Sequence, residues 1–278
     1  IPGGVQMLGK LIRYDLKSTT RFLIVIHIFL IIFSILGRIF LTGRFPYEAD
    51  DISELLIALT FTVYIILFAG ASFGTLLVIA VRFYKNLFSD EGYLTNTLPV
   101  TKGMHLLSKT LSGTIWCAID AFILYLCAFI LIAIPPVTEA LSAHWGEFIR
   151  LLGFSSQSSF HFFLLYMVVL TFIGAVVNVV SIQSAVILGQ LFNGHKVLGA
   201  VVSYFVLTTI SSIAATILMG IYGLLTDNLI IGTVGNSDFT FASYMTNILN
   251  LSFALEIVFA IILYIISYII MKKKINLS

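Results

Sequence analysis

Phe22–Leu41 reads FLIVIHIFLIIFSILGRIFL, twenty residues interrupted only by His27, Ser34, Gly37 and Arg38. At 1.5 Å per residue such a stretch covers about 30 Å, the thickness of a bilayer's hydrocarbon core. It does not alternate apolar and polar residues, so it reads as a helix and not as a strand of a membrane barrel. The rest of the chain repeats the pattern. Apolar segments recur at about Leu55–Val81, Thr110–Ile134, Phe160–Phe192, Val197–Leu225 and Met245–Met271. Several exceed the required length, so tilt or extension beyond the bilayer is expected. Charged residues make up 10% of the 278 and hydrophobic ones 59%, with mean hydropathy +1.08. A soluble domain carries about 25% charged residues. The fold class is therefore all-α, a polytopic membrane protein with six transmembrane helices in one transmembrane domain spanning 7–278.

Orientation follows from Lys and Arg. With the N-terminus in the cytoplasm, twelve of the 15 fall inside: Lys10, Arg13, Lys17, Arg21, Arg82, Lys85, Lys102, Lys109, Lys196 and Lys272, Lys273 and Lys274. Arg38, Arg44 and Arg150 fall at or beyond the outer boundary. Positive charge marks the cytoplasmic side, so cytoplasmic N- and C-termini are expected, in keeping with an even number of spans. Residues 1–6 precede Met7 and read as a vector-derived remnant.

Three segments between or before the spans carry information. Over Leu8–Thr20, Leu8, Leu11, Ile12 and Leu16 recur at helical spacing opposite Lys10, Arg13 and Lys17. This predicts an amphipathic helix lying on the inner leaflet. Pro135–Ser159 places Leu141, Trp145, Phe148, Ile149 and Leu152 on one helical face and predicts a short interfacial helix outside. Arg82–Lys109 is the longest cytoplasmic loop. Thr101 suits the N-cap of a helix running into the third span. Phe83, Tyr84, Leu87, Phe88, Tyr93 and Leu94 make the loop too aromatic for a solvated connection. The last outer loop, Thr226–Tyr244, is polar, with turns expected at Gly232, Gly235 and Asn236.

Within the spans, Asp120 and Glu256 stand near mid-bilayer, where a charge costs about 3 kcal/mol. Each either lines a polar passage or is a hydrogen-bonded pin. Asn178 and Ser181 share a small and polar face of the fourth span with Gly174 and Ala185, and belong to the same candidate path. Thr208, Ser212, Thr216 and Gly220 form a similar stripe in the fifth. Gly70 and Gly74 form a G-x-x-x-G pattern that permits close helix contact. His27 reads as a packing histidine and Arg38 as a snorkelling one. Cys117 and Cys127 would lie about 15 Å apart on one helix, beyond disulfide reach.

No phosphate-binding loop, metal-ligand spacing or nucleophile motif is present. Gly194-His195-Lys196 lacks the spacing and hydroxyl of a P-loop. Leu111-Ser112-Gly113 echoes an ATPase signature by chance. No enzymatic activity, metal or nucleic-acid partner is expected of this chain.

MLGKLIRYDLKSTTRFL (Met7–Leu23) and FYKNLFSDEGYLTNTLPVTKGMHLLSK (Phe83–Lys109) together resemble permease subunits of the ABC-2 transporter class from Gram-positive bacteria. The motifs cover about the first 110 residues; beyond them only the hydropathy profile is similar. The resemblance implies a plasma-membrane permease that pairs with a second copy or a sister subunit and docks on a cytoplasmic ABC ATPase, which binds ATP and Mg. It implies that Tyr84–Tyr93 is a coupling helix, with Tyr84, Lys85, Asn86, Leu87, Phe88, Ser89, Asp90, Glu91 and Tyr93 in contact with the ATPase, and Leu8–Thr20 a connecting helix. Export of amphipathic or antimicrobial-type peptides is the implied function. The alternative is a proton-coupled secondary transporter using Asp120 and Glu256.

Overall fold

The computed structural model describes residues 3–43, 51–89, 91–92, 97, 99–192, 194–226 and 241–273. Eight helices are delimited among them, with no strand: α1 (Gly3–Gly43), α2 (Asp51–Phe88), α3 (Lys102–Ile132), α4 (Pro135–Ala143), α5 (Trp145–Leu151), α6 (Gln157–Gly189), α7 (Lys196–Thr226) and α8 (Phe241–Lys273); Glu91 and Gly92 are helical as well. Six of these, all but α4 and α5, are long and apolar enough to cross a membrane. All five prolines lie outside the apolar stretches of the spans, at 2, 46, 99, 135 and 136. A proline inside a span would remove a ladder bond that lipid cannot replace.

The helix ends are set by side chains as well as by composition. Thr101 caps α3, its hydroxyl accepting from the Met104 amide at 3.3 Å, as its position before the third span predicts. Ser156 caps α6 in a reciprocal arrangement with Ser159. The segment expected to be one interfacial helix is two, α4 and α5, broken at His144, whose backbone leaves the helical region at φ −115 and ψ 22. Gly153, at φ 82, closes α5. Its amide bonds to Arg150 and that of Phe154 to Ile149, the paired bonds of a left-handed helix terminus that favours glycine. Trp145 stacks on Phe148 and meets Phe160 edge-on, holding this pair of helices to the start of α6.

α3 and α6 occupy the middle of the bundle: α3 touches α1, α2, α6 and α8, while α6 touches α2, α3, α7 and α8. Gly113 lets α3 and α6 approach, because a Cβ there would stand 2.9 Å from Val179 Cγ1. At the end of α6, a Cβ on Gly189 would stand 2.5 Å from the Ala200 amide nitrogen, so α7 packs backbone-to-backbone. The G-x-x-x-G pair of α2 plays no such part within the chain. Gly70 has open space around it, and Gly74 meets only the tip of Ile26.

The N-terminal segment differs from expectation in one respect. Its faces are as expected, with Lys10, Arg13 and Lys17 outward. It is not a separate helix in the plane of the membrane, however; it is the first part of α1, continuous into the span. Nothing between Thr20 and Phe22 breaks a helix, and the hydroxyls of Ser18, Thr19 and Thr20 bond back to carbonyls of their own helix. The face that lipid was expected to cover packs on α3 and α2 instead, with Leu16 against the cluster of Leu23, Ile79, Trp116 and Val179.

The end of α2 packs against three other helices. Phe83 and Leu87 share a buried cluster with Leu106 of α3, Val186 and Ile187 of α6 and Met271 of α8. Lys102 Nζ donates to the Met271 carbonyl at 3.0 Å, capping the last turn of α8. The start of α3 and the ends of α2, α6 and α8 therefore lie at one end of the bundle, joined there by the N-terminal part of α1.

Candidate functional site

Asp120 lies on α3 facing α1 and α2. It is 3% exposed. His27 Nε2 of α1 stands 2.8 Å from its Oδ1, and Thr75 Oγ1 of α2 donates to the same oxygen at 2.9 Å. Among the described residues none reaches Oδ2. The His27 ring also lies parallel to Trp116 of α3, with centroids 6.4 Å apart. His27 is thus a packing residue with its ring nitrogen satisfied by Asp120. Its pairing with Asp120, 93 positions away, has no local signal in the sequence.

Asp120 also forms part of the wall of a cleft of about 350 Å³ between α2, α3, α6 and α8. Ser72, Thr75, Tyr125, Thr171 and Asn178 supply other polar groups, and Met167, Leu170 and Phe253 part of its apolar lining. Tyr125 Oη and Thr171 Oγ1 are 2.9 Å apart, tying α3 to α6 across it. Asn178 is exposed and stands at the opening. The structure therefore brings Asp120 and Asn178 to one site. Ser181, half-buried one turn further along α6, does not line it. Glu256 is half-buried on α8, close in sequence to Phe253, and makes no hydrogen bond or ion pair among the described residues.

A second polar cluster sits nearer the end of the bundle where Phe83 and Leu87 pack. Lys109 Nζ and Asp15 Oδ1 are 2.8 Å apart, both side chains 8% exposed, and Ser108 Oγ donates to Asp15 Oδ2 at 3.1 Å. Thr110 donates to Gln183 Oε1 at 2.8 Å, joining α3 to α6. Gln183 Nε2 and Trp116 Nε1 have no acceptor among the described residues, and both side chains face a polar chamber of about 20 Å³, room for a single water. Arg82 also lines this chamber, its guanidinium 5.1 Å from the Phe22 ring centroid. The sequence gives no warning of this cluster, because Lys109 reads as one more positive residue at the membrane surface.

The aromatic stretch after the second span divides. Tyr84, Lys85, Asn86, Leu87 and Phe88 are the last turn of α2, not a loop. Asn86 and Leu87 are buried in the bundle, whereas Lys85 and Glu91 are exposed and Tyr84, Phe88 and Ser89 half-buried. Asp90 and Tyr93 lie outside the described residues, as does most of the loop Thr226–Tyr244. Both cysteines are free. Among the described residues no cluster of three or more His, Cys, Asp or Glu is placed to hold a metal ion. No protein-family profile, curated protein or solved structure matches the chain.

Proposed function

We propose that this chain is the permease subunit of an ATP-driven exporter of the ABC-2 class, resident in a bacterial plasma membrane with both termini in the cytoplasm. In this reading it works as a pair with a second permease copy, and a separate ABC ATPase supplies ATP hydrolysis. The observation that carries it is the division of the aromatic stretch. Phe83 and Leu87 are buried against α3, α6 and α8, while Lys85 and Glu91 of the same segment are exposed. A segment anchored in this way passes a push at its surface to four spans at once, which is what coupling to an ATPase requires. The cleft at Asp120 and Asn178 is the stretch of the path within this chain, and amphipathic peptides or another hydrophobic cargo are the proposed substrates.

The test uses the surface residues and leaves the buried ones alone. Lys85→Glu with Glu91→Lys is expected to reduce recovery of a cytoplasmic ATPase with the tagged permease about tenfold or more, with the yield of folded permease unchanged. That size corresponds to losing a contact region worth about 1.4 kcal/mol or more. Undiminished recovery would remove the coupling assignment. Asn86→Ala and Leu87→Ala are poor choices, since they would weaken the bundle itself.

The buried His27–Asp120 pair favours a second reading, a proton-coupled transporter. Substrate movement driven by a pH gradient in proteoliposomes without any ATPase, and lost in Asp120→Asn, would establish it over the first.

A further inference from the structure

We infer that the cleft beside Asp120 binds a small membrane-soluble amine, with a protonated nitrogen donating to Asp120 Oδ2. Two independent observations support this. The first is the cavity: about 350 Å³, at the small end of the range of about 300–1,000 Å³ typical of small-molecule sites, and mostly apolar with a few polar groups. The second is the state of the carboxyl group. His27 and Thr75 both engage Oδ1, and Oδ2 is left with no partner among the described residues although Asp120 is almost wholly buried. Asp120 is part of the cleft wall, and a carboxylate with one oxygen unengaged keeps acceptor capacity there for a donor.

The rest of the cleft fits an amphiphile with one such head. Asn178 and Thr171 offer further polar contacts on α6, and Phe253 with Leu170 gives the apolar body of the ligand a surface. An aromatic face also attracts an adjacent cation. A second carboxylate is not among the lining residues, so the site suits one positive charge and not two. The volume suits a single small amphiphile, within the hydrophobic cargo proposed above.

The inference takes its cargo interpretation from the transport reading above, but the binding itself rests on the cleft alone. Loss of ATPase recovery with binding intact would fell that reading and spare this one; loss of binding with ATPase recovery intact would do the reverse.

The full-length protein in lipid nanodiscs is titrated with dansylcadaverine, which joins a primary amine to an apolar fluorophore, with empty nanodiscs subtracting partition into lipid. Saturable binding with blue-shifted emission is expected. The N-acetylated probe, uncharged but of similar shape, is expected to bind at least tenfold more weakly, since a hydrogen bond to a charged group contributes about 1.5–3 kcal/mol. The trimethylammonium analogue, charged but without an N–H, should bind more weakly than the amine. Asp120→Asn should weaken the amine about tenfold and leave the acetylated probe unchanged. Gly174→Leu should abolish binding without touching the carboxylate, because a side chain from Gly174 grows toward Phe253, whose ring carbon lies 3.6 Å from the Cβ position. Equal affinity for the amine and its acetylated form would overturn the inference, and this comparison needs no variant. Binding by Gly174→Leu equal to that of the unmodified protein would overturn the location.

Discussion

Lys109→Met is expected to lower stability by about 3–5 kcal/mol, read as a shift in the unfolding midpoint when SDS is titrated into dodecyl maltoside micelles. Lys109 and Asp15 are each buried, and their charged atoms stand 2.8 Å apart. Methionine keeps the length and apolar stem of the lysine but leaves the Asp15 carboxylate buried with only Ser108 as a partner. Removing one member of a buried pair carries that cost because the other charge remains without compensation. The double replacement, Asp15→Leu with Lys109→Met, is expected to recover most of the loss, since well-packed apolar residues often replace a buried pair at little cost. If Lys109→Met is neutral, the pair is not buried in the membrane-embedded protein. If the double variant is no better than the single one, the loss comes from packing and not from an unpaired charge.

The second large effect is expected at the seam between α6 and α7. Gly189→Ala adds a single carbon, yet that carbon would stand 2.5 Å from the Ala200 nitrogen and 2.7 Å from its Cα. No rotamer change relieves a collision with backbone, so the two helices have to separate. The cost is expected at the upper end of overpacking, about 3 kcal/mol or more. Gly70→Ala is the control. It has open space around it and gains up to about 1 kcal/mol of helix propensity, so it should be neutral or slightly stabilising. The same SDS titration reads both. Equal behaviour of the two variants would mean that α6 and α7 do not meet at Gly189.

This contrast between glycines bears on what the sequence makes legible. The six spans can be read directly, because bilayer thickness demands a length of apolar residues that little else in a protein requires. The cap at Thr101 can be read because it is local. Gly70 and Gly74 form the recognisable motif, but close approaches within the chain occur outside it, at Gly113 and Gly189 among others. Whether a glycine is needed depends on what crosses it, and the crossing helix is remote in sequence. The candidate site behaves likewise. Asp120 and Asn178 stand out individually as polar residues at depth, and they do share a cleft. Thr75 and His27, which complete the carboxylate's surroundings, look like ordinary span residues until α1 and α2 are brought beside α3. Asp15 and Lys109 were hidden for a different reason: a charge near a membrane surface is expected to be solvated, and only packing of α1 against α3 takes both out of water.

The two polar pairs also restrict how the protein can move. Asp15 and His27 lie on the same unbroken helix, twelve residues apart, hence about 18 Å along its axis. Each is fastened to α3, one through Lys109 and the other through Asp120. A rod held at one point can pivot about it; a rod held at two separated points cannot swing or turn without breaking one of them. α1 and α3 therefore travel as a single plate. Any rocking of the bundle is left to the other seams, such as that between α6 and α7.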